Sequence, residues 1–319
     1  MVKPTVVVSR AIPRAAIELL ARHGTVDENV TDEGYTPQAL AAHAQHADAL
    51  VTLLTDRIDD ALLARAPRLK IVANVAVGYD NIDVEAARRR GVVVTNTPGV
   101  LTDATADFAW ALLLAAVRRV VEADAYVRAG RFTEWKMMEF HGGDLAGMTM
   151  GIAGFGRIGQ AVARRARGFG MHVIYTNRHR VSAALEEALG ARAVDKATLL
   201  AASDVLSLHV PLTPDTRHFI GAPELAAMKS SAYLINTARG PIVDERALAA
   251  ALAGGVIRGA GLDVFEREPA VEPALLGLSN AVLAPHIASA TVDTRTRMAL
   301  IAAENVIAVL GGGPPANPV

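Results

Sequence analysis

Met148-Thr149-Met150-Gly151-Ile152-Ala153-Gly154-Phe155-Gly156-Arg157-Ile158-Gly159-Gln160 decides the fold. A short apolar run reads as a strand over 148–153, the pattern G-x-G-x-x-G follows at Gly154, Phe155, Gly156, Arg157, Ile158 and Gly159, and Gln160 to Phe169 reads as a helix. The spacing alone is weak in a chain with 26 glycines. Its setting between strand and helix gives it meaning. The first glycine permits a tight turn, the second lets the backbone approach a pyrophosphate, and the third lets helix pack on strand. The helix N-terminus then offers unpaired N–H groups and a partial positive charge to the phosphates. A dinucleotide site is the expectation.

Outward from this unit, β-branched runs recur at Val6–Val8, Leu50–Leu54, Ile71–Val77, Val92–Thr95, Val173–Thr176, Val205–Leu208, Ala232–Ile235, Gly261–Phe265 and Ala281–Leu283. Ala- and Leu-rich stretches of helical spacing lie between them. Strand alternating with helix predicts parallel sheets covered on both faces, and the continuously apolar strands fit double burial. A long helix is expected from Thr102 as N-cap to Arg118 and Arg119, with Asp103 and Asp107 near its start. Its apolar residues go round the axis, so it is buried either against a second subunit or inside the core.

At 319 residues the chain has room for about two domains of roughly 150 residues each. Its hydrophobic share is 51% against 20% charged, which excludes disorder for most of the chain. A net charge of −1 gives no bulk attraction to nucleic acid or an anionic membrane. There is no cysteine, hence neither a disulfide nor a thiolate zinc site. His43 and His46 lack carboxylate or cysteine company, and no metal site is expected. The apolar run Phe108–Val117 is too short to span a bilayer. Met1-Val2-Lys3-Pro4 leads straight into Thr5 without the apolar core of a secretory signal, so a cytoplasmic location is expected.

About 20 residues beyond the glycine loop, where an NAD site places an acid on the ribose 2′-hydroxyl, stand Asn177, Arg178, His179 and Arg180. Guanidinium groups pair with a 2′-phosphate that an acid would repel. NADP(H) is therefore expected ahead of NAD(H). In the C-terminal half, Arg239 follows Ile235 to Ala238, Asp263 and Glu268 follow Ala260-Gly261-Leu262, and His286 follows Leu283-Ala284-Pro285, a cluster near strand ends, where ligands of open parallel sheets bind. An Arg, a carboxylate and a His there make an anion clamp with a proton donor and its orienter. Glu266, two residues from Glu268, competes for the orienting role, and spacing does not choose between them.

These residues carry a resemblance that covers nearly the whole chain. Val77-Gly78-Tyr79-Asp80-Asn81-Ile82-Asp83, Thr95 to Thr102, the glycine loop, His209-Val210-Pro211-Leu212-Thr213, Asn236-Thr237-Ala238-Arg239-Gly240, Gly261 to Pro269 and Pro285-His286-Ile287 resemble the D-2-hydroxyacid dehydrogenases, and within them the glyoxylate/hydroxypyruvate reductases. The resemblance implies an α/β protein of two doubly wound parallel-sheet domains with a cleft between. One is a flavodoxin-like substrate-binding domain of residues 1–98 plus 287–319, the other a Rossmann dinucleotide-binding domain of residues 99–286.

It further implies that Arg239 binds the substrate carboxylate, that His286 is the acid/base, and that Glu268, directly before Pro269, partners it. Val77 and Gly78 would offer backbone N–H groups to the carboxylate. Asp263 would face the nicotinamide carboxamide. Thr237, Ala238, His209, Val210, Pro211 and Thr216 would line the coenzyme, with Thr105 a further contact. Trp135 would reach the active site of a neighbouring subunit in a homodimer. The implied reaction is NADPH-dependent reduction of glyoxylate or hydroxypyruvate to glycolate or D-glycerate. Its rivals are another 2-keto acid such as 2-ketogluconate, phosphite oxidation, and a dinucleotide-sensing corepressor. Ala76, where phosphite enzymes carry Lys, speaks against the second, and the lack of an added partner-binding tail against the third.

Overall fold

In a computed structural model that describes residues 3–319, the chain divides into two compact units, 1–101 with 290–319, and 102–289. Each is built on its own parallel sheet.

The smaller unit's five strands are β1 (Thr5–Val8), β2 (Thr25–Glu28), β3 (Ala49–Thr52), β4 (Ile71–Asn74) and β5 (Val93–Thr95), in the order β2-β1-β3-β4-β5. Side chains alternate between two cores. Val6 and Val8 meet Ile17, Leu20, Ala299, Ala302 and Val306 on one face, while Val7 meets Leu40, Leu50, Leu62 and Val72 on the other. The C-terminal helix Val292–Leu310 supplies much of the first face, packing on the helix Arg14–His23 and on β3 and β4.

The larger unit's strands are β6 (Thr149–Ala153), β7 (His172–Thr176), β8 (Ala191–Ala193), β9 (Val205–Leu208), β10 (Tyr233–Asn236), β11 (Gly259–Leu262) and β12 (Ala281–Leu283), in the order β12-β11-β10-β9-β6-β7-β8. The chain runs outward from β6 to β8, then returns to β9 on the other flank of β6. The strand order therefore reverses at the carboxyl ends of β6 and β9, the crevice where open α/β sheets take their ligands. The apolar runs predicted ten strands. The two they miss, β2 and β8, lie at sheet edges, where half-buried Asp27 and Glu28 and exposed Arg192 interrupt the apolar pattern.

The long helix spans Thr102–Val117, so Thr102 lies inside it rather than at its cap. Ala109, Trp110, Leu112, Leu113 and Val117 are buried against β10, β11 and the helix Arg157–Gly168. Arg165 fastens the two helices, donating to Asp107 at 2.7 Å and to Asp103 at 3.2 Å. No helix among the described residues is long and apolar enough to cross a membrane.

Candidate active site and dinucleotide loop

The glycine loop is shaped by contacts that leave no room for a Cβ. Gly154 has φ +91°, and a Cβ there would lie 2.6 Å from the His209 carbonyl. A Cβ on Gly159 would lie 2.2 Å from the Gly154 oxygen, whereas one on Gly156 would meet open space. The loop thus needs two of its glycines for packing, and the middle one leaves the backbone approachable. Gly156 caps the helix Arg157–Gly168. Among the described residues, the N–H groups of Gly156, Arg157 and Ile158 have no protein acceptor. Three unpaired donors at a helix N-terminus suit a pyrophosphate.

Phe155 is buried and stacks on Tyr175 with ring centroids 4.0 Å apart. Its N–H donates to Asn177 Oδ1 at 3.1 Å, and Asn177 Nδ2 donates to the His179 carbonyl at 2.8 Å. Asn177 therefore ties the glycine loop to the basic turn after β7. The Arg180 guanidinium makes a two-point pair with Glu186, at 2.9 and 2.7 Å, and the Tyr175 hydroxyl donates to the same carboxylate at 2.8 Å. These bonds hold the Glu186 carboxyl down at about 2, Arg180 contributing most. Arg178 is exposed and has no side-chain partner among the described residues.

Next to the loop, at the carboxyl end of β9, burial lowers the His209 imidazole to about 4, so the ring is neutral near pH 7. Its Nε2 lies 2.8 Å from the Ser207 hydroxyl. Thr216 donates to the Pro211 carbonyl at 2.6 Å and closes the turn after Val210. Thr237, at the end of β10, is 8% exposed, and its hydroxyl oxygen is buried without a hydrogen-bond partner. A buried orphan of this kind marks a place where a polar ligand group completes the site. The open helix terminus and this hydroxyl together fit a dinucleotide.

Beyond β10 and β11 the acid/base candidates come together. His286 Nδ1 lies 2.8 Å from Glu268 Oε2, and the other oxygen of Glu268 accepts the Phe265 N–H at 2.9 Å. Burial alone would raise the Glu268 carboxyl. The bond and charge of His286, the Phe265 N–H and the Arg239 charge bring it below its ordinary value instead. Glu266 faces elsewhere, with Oε1 at 2.5 Å from His218 Nε2. Geometry separates the two glutamates that spacing could not.

His286 has φ +54°, a conformation L-residues avoid, and its surroundings over-determine it. Its N–H donates to the Asp263 carbonyl at 2.8 Å, while the Asp263 carboxylate accepts the Ile287 and Ala288 N–H groups at 2.7 and 2.8 Å. Asp263 is fully buried, and burial raises its carboxyl despite those two bonds. It serves the His286 turn, a duty the sequence did not suggest. Arg239 donates to the Ala238 carbonyl at 2.8 Å, and Asn236 receives the Ala238 N–H and donates to the Arg239 carbonyl. Gly240 follows where a Cβ would lie 1.9 Å from the Phe265 carbonyl carbon, so the Arg239 turn abuts the Glu268 segment.

In the smaller unit, Val77 and Gly78 follow β4. Asn96 Nδ2 holds the Val77 carbonyl at 2.7 Å and Asn74 Nδ2 the Gly78 carbonyl at 2.9 Å. Their own N–H groups have no protein acceptor among the described residues. Thr105 is buried in the helix Thr102–Val117, and Trp135 is 73% exposed.

A family model described as "D-isomer specific 2-hydroxyacid dehydrogenase, NAD binding domain" matches residues 110–288. This chain belongs to the D-isomer specific 2-hydroxyacid dehydrogenase family. A glyoxylate reductase of Thermococcus litoralis is 53% identical over 319 residues, spanning 99% of this chain and 96% of the relative. The crystal structure of a glyoxylate reductase from Paecilomyes thermophila superposes with a TM-score of 0.89 at 37% identity, covering 100% of this chain and 99% of that one. An NADPH-dependent glyoxylate/hydroxypyruvate reductase from Sinorhizobium meliloti, crystallised with NADP and malonate, gives 0.88 at 36% identity over 99% and 97%. As a member of this family, the chain has the nicotinamide-dinucleotide unit that its loop geometry fits.

Proposed function

We propose that this dehydrogenase reduces glyoxylate, and alongside it hydroxypyruvate, to glycolate and D-glycerate in the cytoplasm, preferring NADPH to NADH. The hydrogen-bonded His286–Glu268 pair carries the reading. The names of the Thermococcus and Sinorhizobium relatives supply the substrate class. Residues 102–289 take the coenzyme and residues 1–101 with 290–319 contribute to substrate binding.

A nicotinamide dinucleotide held at the glycine loop would supply the hydride to the keto carbon. As negative charge grows on the carbonyl oxygen, a protonated His286 delivers a proton to it. Glu268 holds Nδ1, which fixes the ring orientation and leaves Nε2 as the working atom. Arg239 grips the substrate carboxylate through its planar fork. In the smaller unit, the Val77 and Gly78 N–H groups are donors suited to an anionic substrate. Gly154 to Gly159, His209, Val210, Pro211, Thr216, Thr237 and Ala238 line the coenzyme. Arg178 is its 2′-phosphate contact. Val120, Val121, Val127, Phe132, Trp135, Met137 and Met138 are all exposed within residues 120–138, apolar surface suited to joining two copies as a homodimer.

Rates of NADPH and NADH oxidation with glyoxylate, hydroxypyruvate and 2-ketogluconate test the reading. Glyoxylate or hydroxypyruvate with NADPH should be fastest. A protein that binds the dinucleotide yet reduces none of the three is a sensor rather than a reductase.

A further inference from the structure

Glu245 opens the helix Glu245–Ala253 and is 3% exposed. A carboxylate so buried is costly unless its oxygens are used. One oxygen accepts the N–H of Glu266 and the other accepts the N–H of Glu272 at 3.3 Å. Its own N–H returns a bond to the Glu266 side chain at 3.4 Å. A single side chain thus ties both ends of segment 266–272, on which Glu268 stands. Within the segment, Ala270 N–H donates to the Arg267 carbonyl at 2.9 Å, so the loop turns as one piece between its two anchors.

We propose that Glu245 is a positioning residue, pinning segment 266–272 so that Glu268 stays at hydrogen-bond distance from His286. The proposal rests on reading His286 and Glu268 as the proton-delivery pair. Glutamine cannot replace the carboxylate, because its amide presents a donor where one of the two N–H groups needs an acceptor.

Turnover and affinity are measured for Glu245→Gln, Glu268→Gln and the double variant. Misplacement of a catalytic partner predicts a fall in kcat of about 10- to 100-fold in Glu245→Gln, with NADPH dissociation constant and keto-acid KM within about twofold of the parent. In the Glu268→Gln background the same substitution should change kcat by less than about twofold, since the group it positions is already disabled. A merely structural role would lower both backgrounds equally. Should Glu245→Gln fail to fold, Glu272→Pro removes one donor at a residue whose φ of −56° and ψ of 118° accept proline. Glu272→Ala keeps that donor and removes only the side chain. A fall in kcat in the proline variant alone supports the proposal. Equal factors in both backgrounds, or unchanged kcat in the Glu245→Gln or Glu272→Pro variant, overturns it. If Glu268→Gln alone leaves kcat unchanged, the proton-delivery reading fails first, and the proposal with it.

Discussion

Glu268 joins His286 through one carboxylate oxygen, at 2.8 Å, and the Phe265 N–H through the other, at 2.9 Å. Both oxygens are engaged, so the carboxylate cannot turn without breaking a bond, and the imidazole inherits that fixed direction. His286→Ala should lower kcat by about 10²- to 10⁴-fold while NADPH still binds. Stopped-flow turnover with a fluorescence titration of coenzyme checks this, and near-parental turnover removes His286 from the chemistry.

Gly154 sits at φ +91° against the His209 carbonyl. Gly154→Ala should cost about 1–3 kcal/mol through the backbone conformation alone, before the clash is added. Thermal and urea unfolding measure the loss. A variant as stable as the parent would mean that the turn is not held as described.

The Glu186 carboxyl stands at about 2 in the fold against an ordinary 4.5, through Arg180 first and Tyr175 second. Because the folded value is the lower one, the stabilisation is fully present above about pH 4.5 and is lost as pH falls toward 2. Urea unfolding of the parent and Glu186→Gln should therefore differ most above pH 5 and converge near pH 2. A constant difference across that range contradicts the assignment.

Much of the coenzyme unit was legible because its signals are local. The glycine spacing, the strand before it and the helix after it lie in one short stretch. The basic run 177–180 was legible as a cluster but not as separate duties. Arg180 is taken by Glu186 on the next helix, and only the folded chain brings that carboxylate back to the turn. Spacing could not separate Glu266 from Glu268 for the same reason, since His218 and His286 come from different segments, and only the family resemblance favoured Glu268. Asp263 shows a third case. Its burial and its grip on the Ile287 and Ala288 amides depend on two strands ending side by side, which no spacing announces.

Arg178 is left as the guanidinium of that run with no protein partner among the described residues. A charge-assisted bond is worth about 1.5–3 kcal/mol, on the order of 10- to 150-fold in affinity. Arg178→Ala should weaken NADPH by about that factor and leave NADH nearly unchanged. Equal losses of both coenzymes would make Arg178 a solvated surface residue.

The central claim, a carboxylate-anchored keto-acid reductase, is tested most directly by NADPH oxidation with glyoxylate beside acetaldehyde, a neutral aldehyde with no carboxylate, for the parent and Arg239→Lys. Lysine lacks the planar fork, so the account predicts rapid oxidation with glyoxylate, little with acetaldehyde, and loss of most of that preference in Arg239→Lys. Comparable parental rates on the two aldehydes, or no glyoxylate-dependent oxidation with either coenzyme, would contradict it.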